Sequence, residues 1–156
     1  MIAYRISKIH FARDLAGEGA RLAGGRWNPV GIPVLYASES RALAALEYYV
    51  HIPAPRILPR RLVIVSYEVP ESVTTETVSI ADLPADWRSY PAPPVLQDLG
   101  REWVRRGRSV ILRAPSALMP EENNLIFNPA HPDIRLLTIK DVQNFEFDTR
   151  LAPTMK

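Results

Sequence analysis

Helical periodicity appears in only two stretches of this 156-residue chain, and short apolar runs bounded by glycine or proline fill most of the rest. One helix is expected over about residues 39–51. Ser38 or Ser40 can cap it, because a serine oxygen accepts the free N–H groups of a first turn. Leu43, Leu46 and Val50 form its expected buried stripe, and Pro53 and Pro55 end it. The other is expected over about 95–106, with Leu96, Leu99 and Trp103 inward and Gly107 as C-terminal cap. Residues 11–23 have room for a third, short helix. Strands are expected near 2–6, 33–37, 61–69, 109–114, 124–127, 134–139 and 144–148. Residues 70–94 carry Pro70, Pro84, Pro91, Pro93 and Pro94, and read as a connection with at most a turn or two of helix. The order of elements predicts an α+β fold: a mixed or antiparallel sheet core with flanking helices. It lacks the regular strand–helix alternation of a doubly wound sheet.

The length suits a single domain over 1–156. A chain of this size buries roughly 68–70% of its unfolded surface, so a core forms without staples. Cysteine is absent, which excludes a disulfide framework, thiol catalysis and cysteine-based zinc sites, and fits a reducing cytoplasm. The longest apolar run, Ala42 to Leu46, is far too short to cross a bilayer. Arg5 follows closely on Met1 with no apolar region behind it, so a secretory signal is not expected. The net charge of +2 suits an anionic small ligand or an acidic partner as well as nucleic acid.

Three residues stand out as chemistry within a short span. Arg26 follows the pair Gly24-Gly25, Tyr36 lies in the next strand, and Glu47 lies in the helix after that. Glycines let a ligand approach the backbone, and an adjacent guanidinium can grip phosphate oxygens with two parallel bonds. Glu47 shares the expected buried stripe of its helix. A carboxylate there costs free energy unless something pairs or uses it. Singly, each has a plain structural role open to it: Arg26 as a structural arginine, Tyr36 as core, Glu47 at the water-facing edge of the stripe. Arg5 is a second phosphate contact or a salt-bridge partner of the first strand. Asn28 and Asn124 touch a ligand or serve turns and loops. His131 reads as structural, since His10 and His51 are not spaced to join it around a metal. Arg101, Arg105, Arg106 and Arg108 read as a solvated helix face, or one that meets an acidic partner.

The ordered block from Gly24-Gly25-Arg26-Trp27-Asn28-Pro29 through Tyr36-Ala37-Ser38 to Ala42, Leu43, Ala44 and Glu47 resembles the RES domain family. Tyr4-Arg5-Ile6, Pro115-Ser116-Ala117, the segment from Asn124 to Pro132 and the ending Phe145 to Leu151 extend the resemblance over nearly the whole chain. It implies a toxin of a type II toxin–antitoxin pair, with a fold similar to diphtheria-toxin-like ADP-ribosyltransferases. The implied substrate is NAD, broken between nicotinamide and ribose by water or phosphate, with no metal. The implied catalytic set is Arg26, Tyr36, Glu47 and Ser116. NAD contacts are expected from Arg5, Arg26, Tyr36, Asn28 and Ser116. The implied partner is an Xre-type antitoxin.

Nicotinamide leaves NAD as a neutral molecule, so no general acid is needed and one carboxylate suffices for an oxocarbenium-like transition state. In that scheme Glu47 stabilises the cation and orients the nucleophile, Arg26 holds pyrophosphate and Tyr36 stacks on the nicotinamide ring. Ser116 is expected to bind ribose or phosphate near Arg26. No His–Asp set accompanies it as a covalent nucleophile. Transfer of ADP-ribose to a protein is the first alternative, and a non-enzymatic nucleic-acid-binding domain the second. Scattered arginines without a recognised nucleic-acid motif count against the latter.

Overall fold

In a computed structural model that describes residues 1–53 and 58–152, the chain runs through ten elements. They are β1 (Ile2–Lys8), α1 (Glu18–Ala23), β2 (Leu35–Ser38), α2 (Arg41–Tyr49), β3 (Leu62–Glu68), β4 (Thr75–Thr77), α3 (Pro94–Arg106), β5 (Ile111–Pro115), β6 (Asn123–Phe127) and β7 (Thr138–Phe145). The strands form one sheet in the order β4-β5-β6-β2-β1-β3-β7. All neighbours are antiparallel except β4 and β5. The expected α+β class with a mixed sheet and flanking helices is what forms.

The sheet is strongly curled. In a flat sheet β3 and β6, three places apart, would be separated by about 14 Å. Yet the Tyr67 and Phe127 rings on those strands meet with centroids 6.1 Å apart. Alternation along the strands then gives the two faces different contents. The inner face carries Ala3, Ala37, Val65, Tyr67, Leu125 and Phe127 in one continuous core. The outer face carries two separate apolar clusters. Trp27, Leu96, Trp103, Leu112 and Ile126 pack under α3. Ile6, Ala44, Leu62, Ile64 and Phe147 pack under α2. On the same outer face, Tyr36 opposes Ile126 and Ser38 opposes Asn124, so polar groups lie where the two clusters part.

Both expected helices form, with differences that matter. Helix α3 begins at Pro94, which has no N–H to leave unpaired, and ends at Gly107 in a left-handed conformation. Helix α2 is capped by Ser40, whose side chain accepts from the Leu43 N–H at 3.0 Å. Its inward side is shifted by one residue from the expected stripe. Leu43 and Ala44 are buried, whereas Leu46 is 36% and Val50 48% exposed. Pro53 follows the helix as expected; Pro55 lies outside the described residues. Within 11–23, only Glu18–Ala23 is α-helical.

Two strand expectations are corrected. The connection at 70–94 contains β4, a parallel edge strand of Thr75-Glu76-Thr77 that shows no apolar alternation to reveal it. The strands expected at 134–139 and 144–148 are replaced by a 3-10 turn over Pro132–Leu136 and one strand, β7. His131 caps that turn by accepting from the Asp133 N–H at 3.1 Å, a structural role as expected. The arginines on α3 are exposed, with Arg101 paired to Asp98 and Arg105 to Glu102.

Helix α3 approaches Trp27 so closely that a Cβ on Gly100 would lie 1.7 Å from the Trp27 carbonyl oxygen. In an open helix, Gly→Ala gains about 1 kcal/mol. Here the sign reverses, because the added methyl forces α3 off the loop that bears Arg26. Gly100→Ala is expected to cost at least about 2 kcal/mol, read as a loss of roughly 4–8 °C in thermal midpoint for a domain of this size. An unchanged or raised midpoint would show that the helix can shift freely.

Candidate active site

The loop bearing Arg26 is a tight turn, closed by the Gly25 N–H donating to the Asn28 carbonyl at 2.8 Å. Gly24 ends α1 with φ of +70°, a conformation that suits glycine. A Cβ on Gly25 would sit 2.7 Å from the Tyr36 hydroxyl and 2.9 Å from Asn28 Oδ1. The missing side chain therefore makes room for Tyr36, a different close approach from the ligand contact expected of the glycine pair.

Tyr36 locks this loop to β2. Its hydroxyl accepts from the Trp27 N–H at 3.0 Å and donates to Asn28 Oδ1 at 2.8 Å. Burial pushes the phenol well above its ordinary pKa, so it keeps the proton it donates. The Asn28 amide donates to the Ala20 and Ile32 carbonyls at 2.8 and 2.9 Å. Asn28 is fully buried with both ends of its amide engaged, so the expected ligand contact is replaced by a scaffold role.

The Arg26 guanidinium leaves the loop toward the segment before α3. Nη1 donates to the Trp87 carbonyl at 2.6 Å and Nη2 to the Ser89 carbonyl at 3.1 Å. An arginine has five N–H groups, and among the described residues three of Arg26's have no acceptor. Partial burial lowers its pKa, and the charge of Glu47 acts in the opposite direction, which puts the Arg26 guanidinium within electrostatic reach of Glu47.

Glu47 is held by two donors on one oxygen. Oε1 accepts from the Ser116 hydroxyl at 2.8 Å and from Asn124 Nδ2 at 2.6 Å. The Ser116 oxygen also accepts from the Leu118 and Met119 N–H groups at 3.1 and 3.2 Å. Both its lone pairs are engaged, so its proton can only point at Glu47. Ser116 is fully buried, and it serves Glu47 instead of the expected ribose or phosphate beside Arg26. Glu47 Oε2 has no hydrogen-bond partner among the described residues. The start of α2 is tied to the same corner. Ser40 donates to Glu122 at 2.7 Å, and Glu39 accepts from Arg113 and from Asn123.

Arg26, Tyr36, Glu47 and Ser116 therefore share one region of the outer face. Arg5 does not. Its neighbour Tyr4 opposes Ser38, so Arg5 itself faces inward, opposite Val65, and donates to the Asp14 carbonyl at 3.3 Å. Alternation in β1 puts it on the wrong side of the sheet for a phosphate contact. Asn124, for which a ligand contact and a turn or loop role are both open from sequence, sits in β6 beside Glu47. A polar residue opening the buried run Leu125-Ile126-Phe127 was the available signal. Nothing in the sequence marked Trp87 and Ser89 as anchors of Arg26, because their carbonyls do that work. Two cavities of about 570 and 330 Å³ lie elsewhere, the larger by Met1 and Glu68, the smaller between α2 and Phe145-Phe147. Among the described residues, no three His, Cys, Asp or Glu side chains gather to hold a metal.

Tyr36→Phe tests the lock. It leaves the buried Trp27 N–H and Asn28 Oδ1 unpaired, at about 1–3 kcal/mol each by the usual cost of an orphaned polar group. The expected result is a clear fall in the denaturant midpoint together with weaker ligand binding at Arg26. An unaltered midpoint would show that the hydroxyl does not hold the loop.

Comparison with known proteins identifies the family of the chain. A family model described as the RES domain matches residues 2–149. A protein named Prs ADP-ribosylating toxin from Sphingobium sp. (strain YBL2) is 40% identical over 147 residues, covering 93% of this chain and 91% of its own. A protein named Toxin Res from Yersinia enterocolitica is 38% identical, covering 97% of this chain and 99% of its own. A chain in the crystal structure of the M. tuberculosis MbcT–MbcA toxin–antitoxin complex superposes with a TM-score of 0.70 at 21% identity, over 92% of this chain and 83% of that one, which shows a shared fold. With the family model spanning nearly all of it and full-length relatives at this level of identity, the chain belongs to the RES domain family.

Proposed function

We propose that this protein is a toxin that cleaves NAD at the bond between nicotinamide and ribose. The observation that carries this reading is the paired arrangement at Glu47: one carboxylate oxygen fixed by two donors, the other free to face a reacting group. The bond breaks with its electron pair going to nicotinamide, which departs neutral. The ribose carbon becomes oxocarbenium-like, and an acceptor oxygen adds to it. With water as acceptor the products are nicotinamide, ADP-ribose and one proton.

In this scheme the Glu47 carboxylate lies against the developing positive charge and orients the acceptor. Arg26, steadied by the Trp87 and Ser89 carbonyls, offers its remaining N–H groups to the pyrophosphate. Tyr36 gives the nicotinamide ring a face to lie on, with the ring rigid because its hydroxyl is held at both ends. Ser116 acts through Glu47.

Transfer of ADP-ribose to a protein is a second reading, favoured by the name of the Sphingobium relative. It uses the same bond cleavage and differs only in the acceptor. Inhibition by an antitoxin of the Xre type follows from the family resemblance, and one chain of similar fold was crystallised in a toxin–antitoxin complex. Among the described residues no helix is long and apolar enough to cross a membrane.

Mass spectrometry of NAD products, with and without phosphate and with cell lysate, separates the acceptors. Free ADP-ribose marks water, its phosphate ester marks phosphate, and a labelled protein marks transfer. Persistence of intact NAD in all three would end the proposal. Glu47→Gln preserves the shape and is expected to bind NAD while losing at least about 10²-fold in turnover. Arg26→Lys keeps the charge but lacks the planar fork, so it should raise the KM for NAD strongly. Wild-type kinetics in either variant would remove that residue from its assigned role.

A further inference from the structure

Glu47 depends on Asn124, and Asn124 in turn has a second partner that the scheme above does not use. The Ser38 hydroxyl donates to Asn124 Oδ1 at 2.8 Å, across the paired positions of β2 and β6. Ser38 is 3% exposed and Asn124 9%, so solvent has little access to the bond between them. An amide is an acceptor at one end and a donor at the other. With Oδ1 held by Ser38, Nδ2 points at Glu47 Oε1 at 2.6 Å. Reversed, the amide would set two acceptor oxygens against each other. Without the Ser38 proton, Oδ1 becomes a buried acceptor with no partner, which drives the side chain to rotate toward another donor. Glu47 would then lose one of its two donors, and its free oxygen would no longer be aimed.

We propose that Ser38 is a positioning residue for the reaction at Glu47, acting through the Asn124 amide. This rests on the reading of Glu47 as the reacting carboxylate. Ser38 touches no substrate in this scheme; it sets the direction of a hydrogen-bond chain that runs from β2 through β6 to α2.

The test compares Ser38→Ala with Ser38→Thr. The alanine variant fits the strand without strain but has no proton to donate, and the threonine variant restores the donor. Loss of a hydrogen bond to a charged group predicts a kcat about tenfold or more below the unsubstituted protein in Ser38→Ala, with the KM for NAD little changed. Ser38→Thr should recover most of that kcat. A packing role predicts the reverse order, with alanine tolerated and the bulkier threonine impaired, and that order would overturn the proposal. Hydrogen exchange of the Asn124 side-chain amide, followed by NMR, gives a readout independent of NAD. It should be protected in the unsubstituted protein and faster in Ser38→Ala; equal exchange would overturn the relay. If the unsubstituted protein leaves NAD intact, the functional reading fails alone, and the relay is judged on exchange.

Discussion

The hydroxyl of Tyr36 joins the loop that carries Arg26 to the strand that faces Glu47. It is one atom engaged in two hydrogen bonds, and burial holds its proton in place. The loop around it is built to that contact. Gly25 lacks the side chain that would collide with the hydroxyl, Asn28 accepts its hydrogen bond, and Gly100 lets α3 close over Trp27. Arg26 inherits its position from these neighbours, and its guanidinium is then directed by two carbonyls from a segment more than sixty residues away.

The other half of the site is assembled by distant pairings that act as one local unit. Ser116 and Asn124 reach Glu47 across 69 and 77 residues of chain. They do so reliably because the start of α2 is tied to the β5–β6 corner by Ser40 with Glu122 and by Glu39 with Arg113 and Asn123. Helix and donors thus move together. A carboxylate whose donors sit on a different rigid body would lose its aim with every fluctuation between the two.

Much of this was legible in the sequence. The two periodic stretches formed as α2 and α3 with the expected caps Ser40 and Gly107, although α2 buries Leu43 and Ala44 and leaves Leu46 and Val50 exposed. The Gly24 to Glu47 block pointed to Arg26, Tyr36 and Glu47, which share one face. What periodicity could not supply was the side of the sheet. Arg5 lies beside Tyr4 in sequence, but strand alternation turns it into the opposite face. Nor could residue type distinguish a buried scaffold amide from a ligand-facing one. Asn28 and Asn124 looked alike, and only the packing around each separates the one that locks a turn from the one that holds Glu47. β4 is not legible in the sequence, because a three-residue edge strand of Thr75-Glu76-Thr77 carries no apolar pattern.

Steric demand at Gly25 bears on how such proteins are recognised. The Gly-Gly-Arg-Trp-Asn run is dictated in large part by the fit of a hydroxyl, an amide and a helix, and a chain that had lost Glu47 would still need most of it to fold. A match to that run therefore certifies a scaffold. On the proposed reading, retention of chemistry depends in addition on Glu47 and its two donors from a distant part of the chain, Ser116 and Asn124, which have little to do with packing the loop. On that reading, an inactive descendant would keep the Gly-Gly-Arg-Trp-Asn run and change one of those three.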